Sequence, residues 1–464
     1  MVNSGCSNDD ETGMKRPILH GGAWLMATLA VVALPAVAVA GELNQPIEEY
    51  GHLLAVLGTV AVAYLLAYLL LNWLTRRYGF VTGAPYVLAG IIAVPATGWI
   101  SDATIETFEP LVALVVGGVA LAAGLSFSGA RLVDQKGPTV KLALSVSVAT
   151  VAMVVGVPLL VTMQWSVPVA AGEWMPALLV LGALGLVADG WPVRAIADYL
   201  QLDRDVTEQA SKIAWLSTGI AVVVFGVAFS VYNPGPSWFG TAADPAIWLV
   251  AHLLAGASLG LIGGVLMHVR PDDDRLVTIA LGVTFTASAL AYVTTLSIVF
   301  VNFVVGVVMI NASSEALRVK KMIDEAAGPL YVLLLFVAGT LWTVGLEPWV
   351  YMAVLVYLVV RFVGRYLGVV LYRPRLSGLR PEPGLHRALL APGALTAAMI
   401  VDFALGFAVL EMTAMFVAAF VLILIAEEVL SYILARGWLI DIAEVGSSSS
   451  AAGGWYGWKG GDDA

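Results

Sequence analysis

Thirteen apolar runs, each about 20 residues long, dictate what this chain can fold into. They fall at 50–76, 84–100, 108–130, 139–164, 174–200, 210–232, 245–268, 275–292, 294–312, 328–346, 348–372, 385–406 and 408–435. Runs of that length need a bilayer or a very large core. The chain is 60% hydrophobic and 12% charged, with mean hydropathy +0.90; soluble domains carry roughly 25% charged residues. The expected fold class is therefore an all-α polytopic membrane protein with thirteen transmembrane helices.

Charge placement tests that count. Basic residues occupy alternate loops: Arg76 and Arg77, then Arg131, Lys136 and Lys141, then Arg204 and Lys212, then Arg270 and Arg275. The series continues at Arg318, Lys320 and Lys321, then Arg373, Arg375, Arg380 and Arg387, and ends at Arg436. The intervening loops hold acids such as Glu48, Asp102, Glu173, Asp244 and Glu347, and no Lys or Arg. A span added or lost would invert the pattern downstream. The positive-inside rule then puts the start of span one outside and the C-terminus in the cytoplasm of a cell-membrane protein.

Inside span five, LGALGLVADGWPVRAI at 181–196 places Asp189 midway along its apolar run. A charge at the bilayer centre costs several kcal/mol unless paired or hydrated. Gly190 and Pro192 beside it interrupt the helical hydrogen bonds, and broken backbone at membrane depth is tolerated only around a cavity or inside protein. A carboxylate at a helix break is how secondary transporters build cation sites. The alternative is a kinked helix with a paired, inert aspartate.

Laying spans one to six over spans eight to thirteen gives an offset of seven. An odd offset reverses orientation, so the halves are expected to be inverted repeats. Span five's counterpart, span twelve, reads LLAPGALTAAMIVDFALG, interrupted at Pro392 and Gly393 with Thr396 just after. Two broken spans in corresponding positions point to a binding site. Span eleven carries Arg361 and Arg365. From an outside start near Pro348, Arg361 lies about 20 Å in at 1.5 Å per residue, at the depth of Asp189. Its expected partner is Asp189, or else the helix-end carbonyls of the span-twelve break. Asp402 and Glu411 lie near the outer ends of their spans and are expected to be wetted. Of Glu427 and Glu428 in span thirteen, at least one must face protein or water.

The remaining organisation is simple. Residues 1–13 are polar, and 14–40 read as a signal-like leader or an extra span. Residues 50–436 form the transmembrane domain, and 437–464 a cytoplasmic low-complexity tail. Cys6 is the only cysteine and the five histidines are scattered. No metal motif, cofactor motif or disulfide follows. No basic stripe suggests nucleic acid, and no GxSxG or paired catalytic aspartates suggest an enzyme.

Several stretches carry a resemblance: GAPYVLAGI at 83–91, GLSFSGARL at 124–132, VADGWPVRAI at 187–196 and FVNFVVGVVMIN at 300–311. Together they resemble the monovalent cation:proton antiporter superfamily, the sodium/proton exchangers and Kef-type potassium systems, over residues 50–436. The resemblance implies a core of spans four to six and eleven to thirteen. It also implies a scaffold, and a homodimer face, from spans one to three and eight to ten. Two departures matter. Ala188 and Gly190 replace the family's threonine and proline around the span-five aspartate. In span six, Ser217 and Thr218 stand where the family has Asn-Asp or Asp-Asp. Hydroxyls can ligate a cation but do not release a proton at physiological pH.

The expected function is exchange of a monovalent cation, Na⁺ favoured, for protons. Asp189 would bind either ion, assisted by Ser217 and Thr218, with Asp402 and Glu427 as secondary candidates. The alternative is an antiporter-fold protein without proton coupling: a facilitator, or a sensory or accessory subunit.

Overall fold

The structure, a computed structural model, describes residues 82–97, 102–135, 137–164, 171–200, 202, 205–232, 244–269, 272–342, 345–372, 381–408 and 412–453. It also describes Gly58, Leu65, Tyr68, Leu69 and Trp73. Residues 1–13, the leader at 14–40, most of span one and Glu411 lie outside the described residues.

Among the described residues there are helices and no strand. They run α1 (Ala84–Thr97), α2 (Asp102–Leu125), α3 (Gly129–Asp134), α4 (Gly137–Gln164), α5 (Ala171–Leu186), α6 (Gly190–Tyr199), α7 (Asp205–Tyr232) and α8 (Pro245–Val269). Then come α9 (Asp273–Val293), α10 (Ile298–Ala312), α11 (Ala316–Thr340), α12 (Pro348–Leu371), α13 (Leu385–Ala388), α14 (Ala394–Gly406) and α15 (Thr413–Gly453). Each of the expected spans two to thirteen falls on one helix or one broken pair. By length and apolarity, 8 described helices can cross a membrane, or 9 with one bent pair, so the expected total of thirteen is not reached by that measure. Span one is almost entirely undescribed. The helices of spans two, nine and twelve are shorter apolar elements of 10–17 residues.

Helix faces sort by size in the way a bilayer demands. α8 turns Gly256, Gly260 and Gly264 inward and leaves Leu254, Leu261, Ile262 and Val265 exposed. On α12, Met352, Leu355 and Val359 are exposed, while Arg361, Gly364, Arg365 and Gly368 are buried. Apolar exposure along whole helices, with the guanidinium groups inside, is the pattern of a protein whose solvent is lipid.

The inverted repeat is visible in two helix crossings. α1 meets α11 where Gly90 faces Gly339: a Cβ on Gly90 would lie 3.0 Å from the Gly339 Cα. α2 meets α10 where Gly124 faces Gly306, and a Cβ on Gly124 would lie 3.1 Å from the Gly306 Cα. With the offset of seven spans these are the same crossing twice. Gly124 and Gly339 each stand one residue before the end of their helix. Backbone contact this close needs small residues on both sides, the packing that membrane helices favour.

The C-terminal boundary differs from expectation. α15 continues past residue 436 to Gly453. Trp438 and Leu439 are buried, and the Trp438 Nε1 donates to the Pro383 carbonyl at 2.8 Å. Gly384, at φ 76, turns the chain into α13 directly beneath that indole. Arg387 pairs with Asp441 at 2.8 Å. The helix persists because an apolar pocket around Leu385 and Ala388 receives its next two turns, so residues 437–442 belong to the folded domain.

Candidate functional site

The breaks in spans five and twelve meet. α5 ends at Leu186 and α6 begins at Gly190; α13 ends at Ala388 and α14 begins at Ala394. Between them the Asp189 N–H donates to the Ala391 carbonyl at 3.0 Å. The residues that interrupt the helices also restart them. Asp189 is the N-cap of α6, its Oδ1 accepting from the Trp191 N–H at 2.8 Å, as capping aspartates do. Pro192 falls in the first turn of α6, where a missing N–H costs nothing. Pro392 and Gly393 lead into α14, with Thr396 Oγ1 accepting from the Gly393 N–H at 3.4 Å. Gly393 is required by proximity. A Cβ there would lie 3.0 Å from both the Cβ and the Oδ2 of Asp189. On the other flank, a Cβ on Gly190 would sit 2.7 Å from the Ser211 Oγ.

Ending a helix inside the membrane leaves carbonyls without partners. Two arginines of α12 supply the donors. Arg361 donates through Nε to Gly185 O (3.1 Å), through Nη2 to Val187 O (2.8 Å) and through Nη1 to Leu390 O (3.2 Å). One turn on, the Arg365 Nη2 donates to Gly185 O, Leu186 O and Val187 O at 3.0, 2.7 and 3.3 Å. Positive charge at a helix C-terminus also meets the negative end of its dipole. Both side chains are buried, at 1% and 0% exposure.

The expected direct pairing of Arg361 with Asp189 is therefore corrected. The acid paired with Arg361 is Glu427 of α15, itself buried, with the Tyr357 ring alongside. Depth alone did not separate Asp189 from the carbonyls one turn earlier, and those carbonyls, left without helical partners at the end of α5, took both guanidinium groups. Asp189 stays partly exposed. Among the described residues no Lys or Arg forms an ion pair with it, and the charge acting on it is Arg194, further along α6.

The span-six hydroxyls divide. The Thr218 Oγ1 donates to Ala188 O at 2.7 Å and accepts from Ala188 N–H at 3.1 Å. It satisfies both backbone groups of the residue before Asp189. Ser217 is turned away: its Oγ shares a hydrogen bond with Ser147 Oγ at 2.9 Å and accepts from Arg365 Nη1 at 3.1 Å. Ser217 therefore faces Ser147 and Arg365, and it is Thr218 that reaches the backbone beside Asp189.

Asp402 also departs from expectation. It is 1% exposed, not wetted. Its carboxylate accepts from Ser297 Oγ (2.7 Å), Ile298 N–H (3.1 Å) and Val299 N–H (3.0 Å). The free N–H groups at the start of α10 need an acceptor, and the last turn of α14 brings one. The neighbours Glu427 and Glu428 are both buried and have different partners. Glu428 accepts from the Gly83 N–H at 2.7 Å, from Thr82 Oγ1 at 3.2 Å and from the Tyr331 hydroxyl. Thr82 and Tyr331 escaped the sequence reading. The signal available was a Thr-Gly-Ala-Pro helix start without an acid in its own first turn.

No family model and no curated protein sequence matches the chain. Solved structures do. The sodium proton antiporter MjNhaP1 from Methanocaldococcus jannaschii, determined at pH 8, superposes with a TM-score of 0.60 at 16% identity, covering 83% of this chain and 97% of that one. An electron-microscopy structure of the same antiporter gives 0.58 at 17% identity, covering 83% and 96%. The chain has the fold of a sodium/proton antiporter. Within that fold, the crossing of α5/α6 with α13/α14 is where this chain sets Asp189. Arg365 fills the space beside Ser217.

Proposed function

We propose that the protein is a secondary transporter that exchanges a monovalent cation, Na⁺ favoured, for protons by alternating access, with Asp189 as the exchanging carboxylate. One observation carries this reading: a partly exposed carboxylate, in no ion pair among the described residues, at the crossing of two broken helices in a sodium/proton antiporter fold. The carboxyl group holds one proton or, after releasing it, one cation. Nearby acceptors are hard oxygens, which suit Na⁺. The Thr218 hydroxyl and the Ala188 and Ala391 carbonyls belong to this set, while both arginines are committed to helix ends and stay out of the exchange. The implied setting is a cell membrane with the C-terminus in the cytoplasm and a homodimer through the scaffold helices.

A second reading is favoured by Arg365. Its guanidinium sits against Ser217, next to Thr218, which stands where the resembling family carries its ion-binding aspartate. A fixed positive charge there suits a protein that keeps the fold without coupling protons, as a facilitator or a sensory subunit. Dye-reported proton flux in proteoliposomes, with Na⁺, Li⁺ and K⁺ added in turn, separates the two. Cation-dependent flux lost in Asp189→Asn supports exchange; no flux with any cation supports the uncoupled reading.

A further inference from the structure

α6 and α14 occupy equivalent places in the two repeats, and their sequences still match. When Asp189, the N-cap of α6, is set on Gly393, the N-cap of α14, Ile196-Ala197-Asp198-Tyr199 falls on Ile400-Val401-Asp402-Phe403. Asp198 is thus the counterpart of Asp402. By the same repeat α1 is the counterpart of α10, on whose start Asp402 is docked through Ser297 Oγ, Ile298 N–H and Val299 N–H.

The equivalent positions differ in exposure. Trp191 is 55% exposed and its counterpart Leu395 only 5%. Arg194 and Asp198 are exposed, whereas Ala398 and Asp402 are buried. One half-helix is open and its twin is closed. The open one, α6, runs toward the face that loop charge assigns to the cytoplasm, and α1 starts at that face. α14 ends, and α10 starts, at the opposite one. Unlike environments around two inverted repeats describe one end state of alternating access, and exchanging them gives the other. Here the start of α1 is held by Glu428, through the Gly83 N–H and Thr82 Oγ1. α15, which carries Glu428, packs against both α1 and α6.

We propose that Asp402 and Asp198 are alternate latches of the transport cycle. Docking of Asp402 on the start of α10 holds the inward-facing state seen here. Docking of Asp198 on the start of α1, in place of Glu428, holds the outward-facing one. The inference rests on the alternating-access reading given above. Both aspartates are positioning residues that leave the transported ion to the crossing. A carboxylate suits the task because the free N–H groups of a helix start bind an anion more strongly than a neutral acceptor.

The test uses the full-length protein with Cys6, its only cysteine, replaced by serine and one reporter at a time, Trp191→Cys or Leu395→Cys. Labelling rates with a membrane-impermeant maleimide are read from each face in oriented vesicles. Trp191→Cys should label from the cytoplasmic face, and Leu395→Cys slowly and from outside. Asp402→Asn weakens the latch that is closed here. It should raise the Leu395→Cys rate roughly tenfold, the worth of one bond to a charged group, without raising that of Trp191→Cys. Ser297→Ala removes one donor from the same latch and should act the same way, so the test survives poor folding of the asparagine variant. Asp198→Asn should lower the Leu395→Cys rate instead. Opposite signs separate a latch from structural support, whose loss loosens the protein and raises both reporters. A Leu395→Cys rate that moves the same way in both aspartate variants, or stays unchanged in either, overturns the inference. The exchange reading fails separately, through absent cation-dependent flux, because labelling needs no transported cation.

Discussion

Arg361 and Glu427 form a buried ion pair that ties α15 to the crossing of the two broken helices. The guanidinium touches both breaks at once, through Gly185 and Val187 on one side and Leu390 on the other. Removing either partner strands a charge where nothing can hydrate it. Arg361→Gln is expected to destabilise the protein by about 3–5 kcal/mol, the range for breaking a buried pair, and Glu427→Gln by a similar amount. The double variant should cost less than the sum of the singles. Unfolding of the three variants in detergent checks this, and strict additivity would show that the pair carries no coupling.

Asp189→Asn separates chemistry from capping. Asparagine caps a helix about as well as aspartate, so the bond to the Trp191 N–H survives and stability should change by under about 1 kcal/mol. Cation-dependent proton flux should vanish. A variant that folds and still exchanges would move the exchanging group to another carboxylate.

Gly393→Ala tests the close approach. The added methyl would meet the Asp189 carboxylate at 3.0 Å, tighter than ordinary contact, and must displace it or the α14 start. The expected result is a loss of exchange larger than the loss of thermal stability. Native transport in a well-folded Gly393→Ala variant would mean that the two breaks need not lie this close.

Thr218→Val removes a hydroxyl that serves both backbone groups of Ala188. The unwound peptide then keeps an unmet donor and acceptor, at a cost of about 1–3 kcal/mol. Thr218→Ser keeps the hydroxyl and should be nearly neutral. Hydrogen exchange at the Ala188 amide reports the difference directly: faster in the valine variant, unchanged in the serine one.

How much of this was legible in the sequence depends on what each feature answers to. The breaks were readable because Gly190, Pro192, Pro392 and Gly393 act through local backbone chemistry, and the repeat because helix order and loop charge follow the bilayer. The partners of Arg361 were readable in part: the Leu390 carbonyl of the span-twelve break is the expected alternative, whereas Glu427 and the carbonyls of Gly185 and Val187 were not foreseen. A midplane depth puts Asp189 and the carbonyls of Gly185 and Val187 within a turn of one another, and only packing decides between them. Glu427 and Glu428 pose the same difficulty: adjacent helical residues point about 100° apart, so one must face Arg361 and the other Tyr331, and the rotation of α15 settles which. Asp402 was misplaced because depth near a span end reads as wet, whereas the start of α10 is folded over it. Ser217 and Thr218 shared one reading in the sequence, yet Arg365 separates them.

The charge balance of the exchange is the last consequence. With Glu428 held by three donors, Glu427 paired with Arg361 and Ser217 unable to titrate, the proposed exchange assigns the swap of a proton for a cation to Asp189 alone among the described residues of the crossing. A single carboxylate exchanges one for one, so transport should be electroneutral. Clamping the membrane potential of proteoliposomes with K⁺ and valinomycin should leave the Na⁺-driven proton flux unchanged at either sign. Ser217→Asp offers the complementary test. Its new carboxylate would stand against the Arg365 guanidinium, which now donates to Ser217 at 3.1 Å, and pair with it. That pair should stay ionised through the cycle and leave exchange electroneutral. Exchange that accelerates with an inside-negative potential in the native protein would require a second mobile charge, and the single-carboxylate scheme would fail.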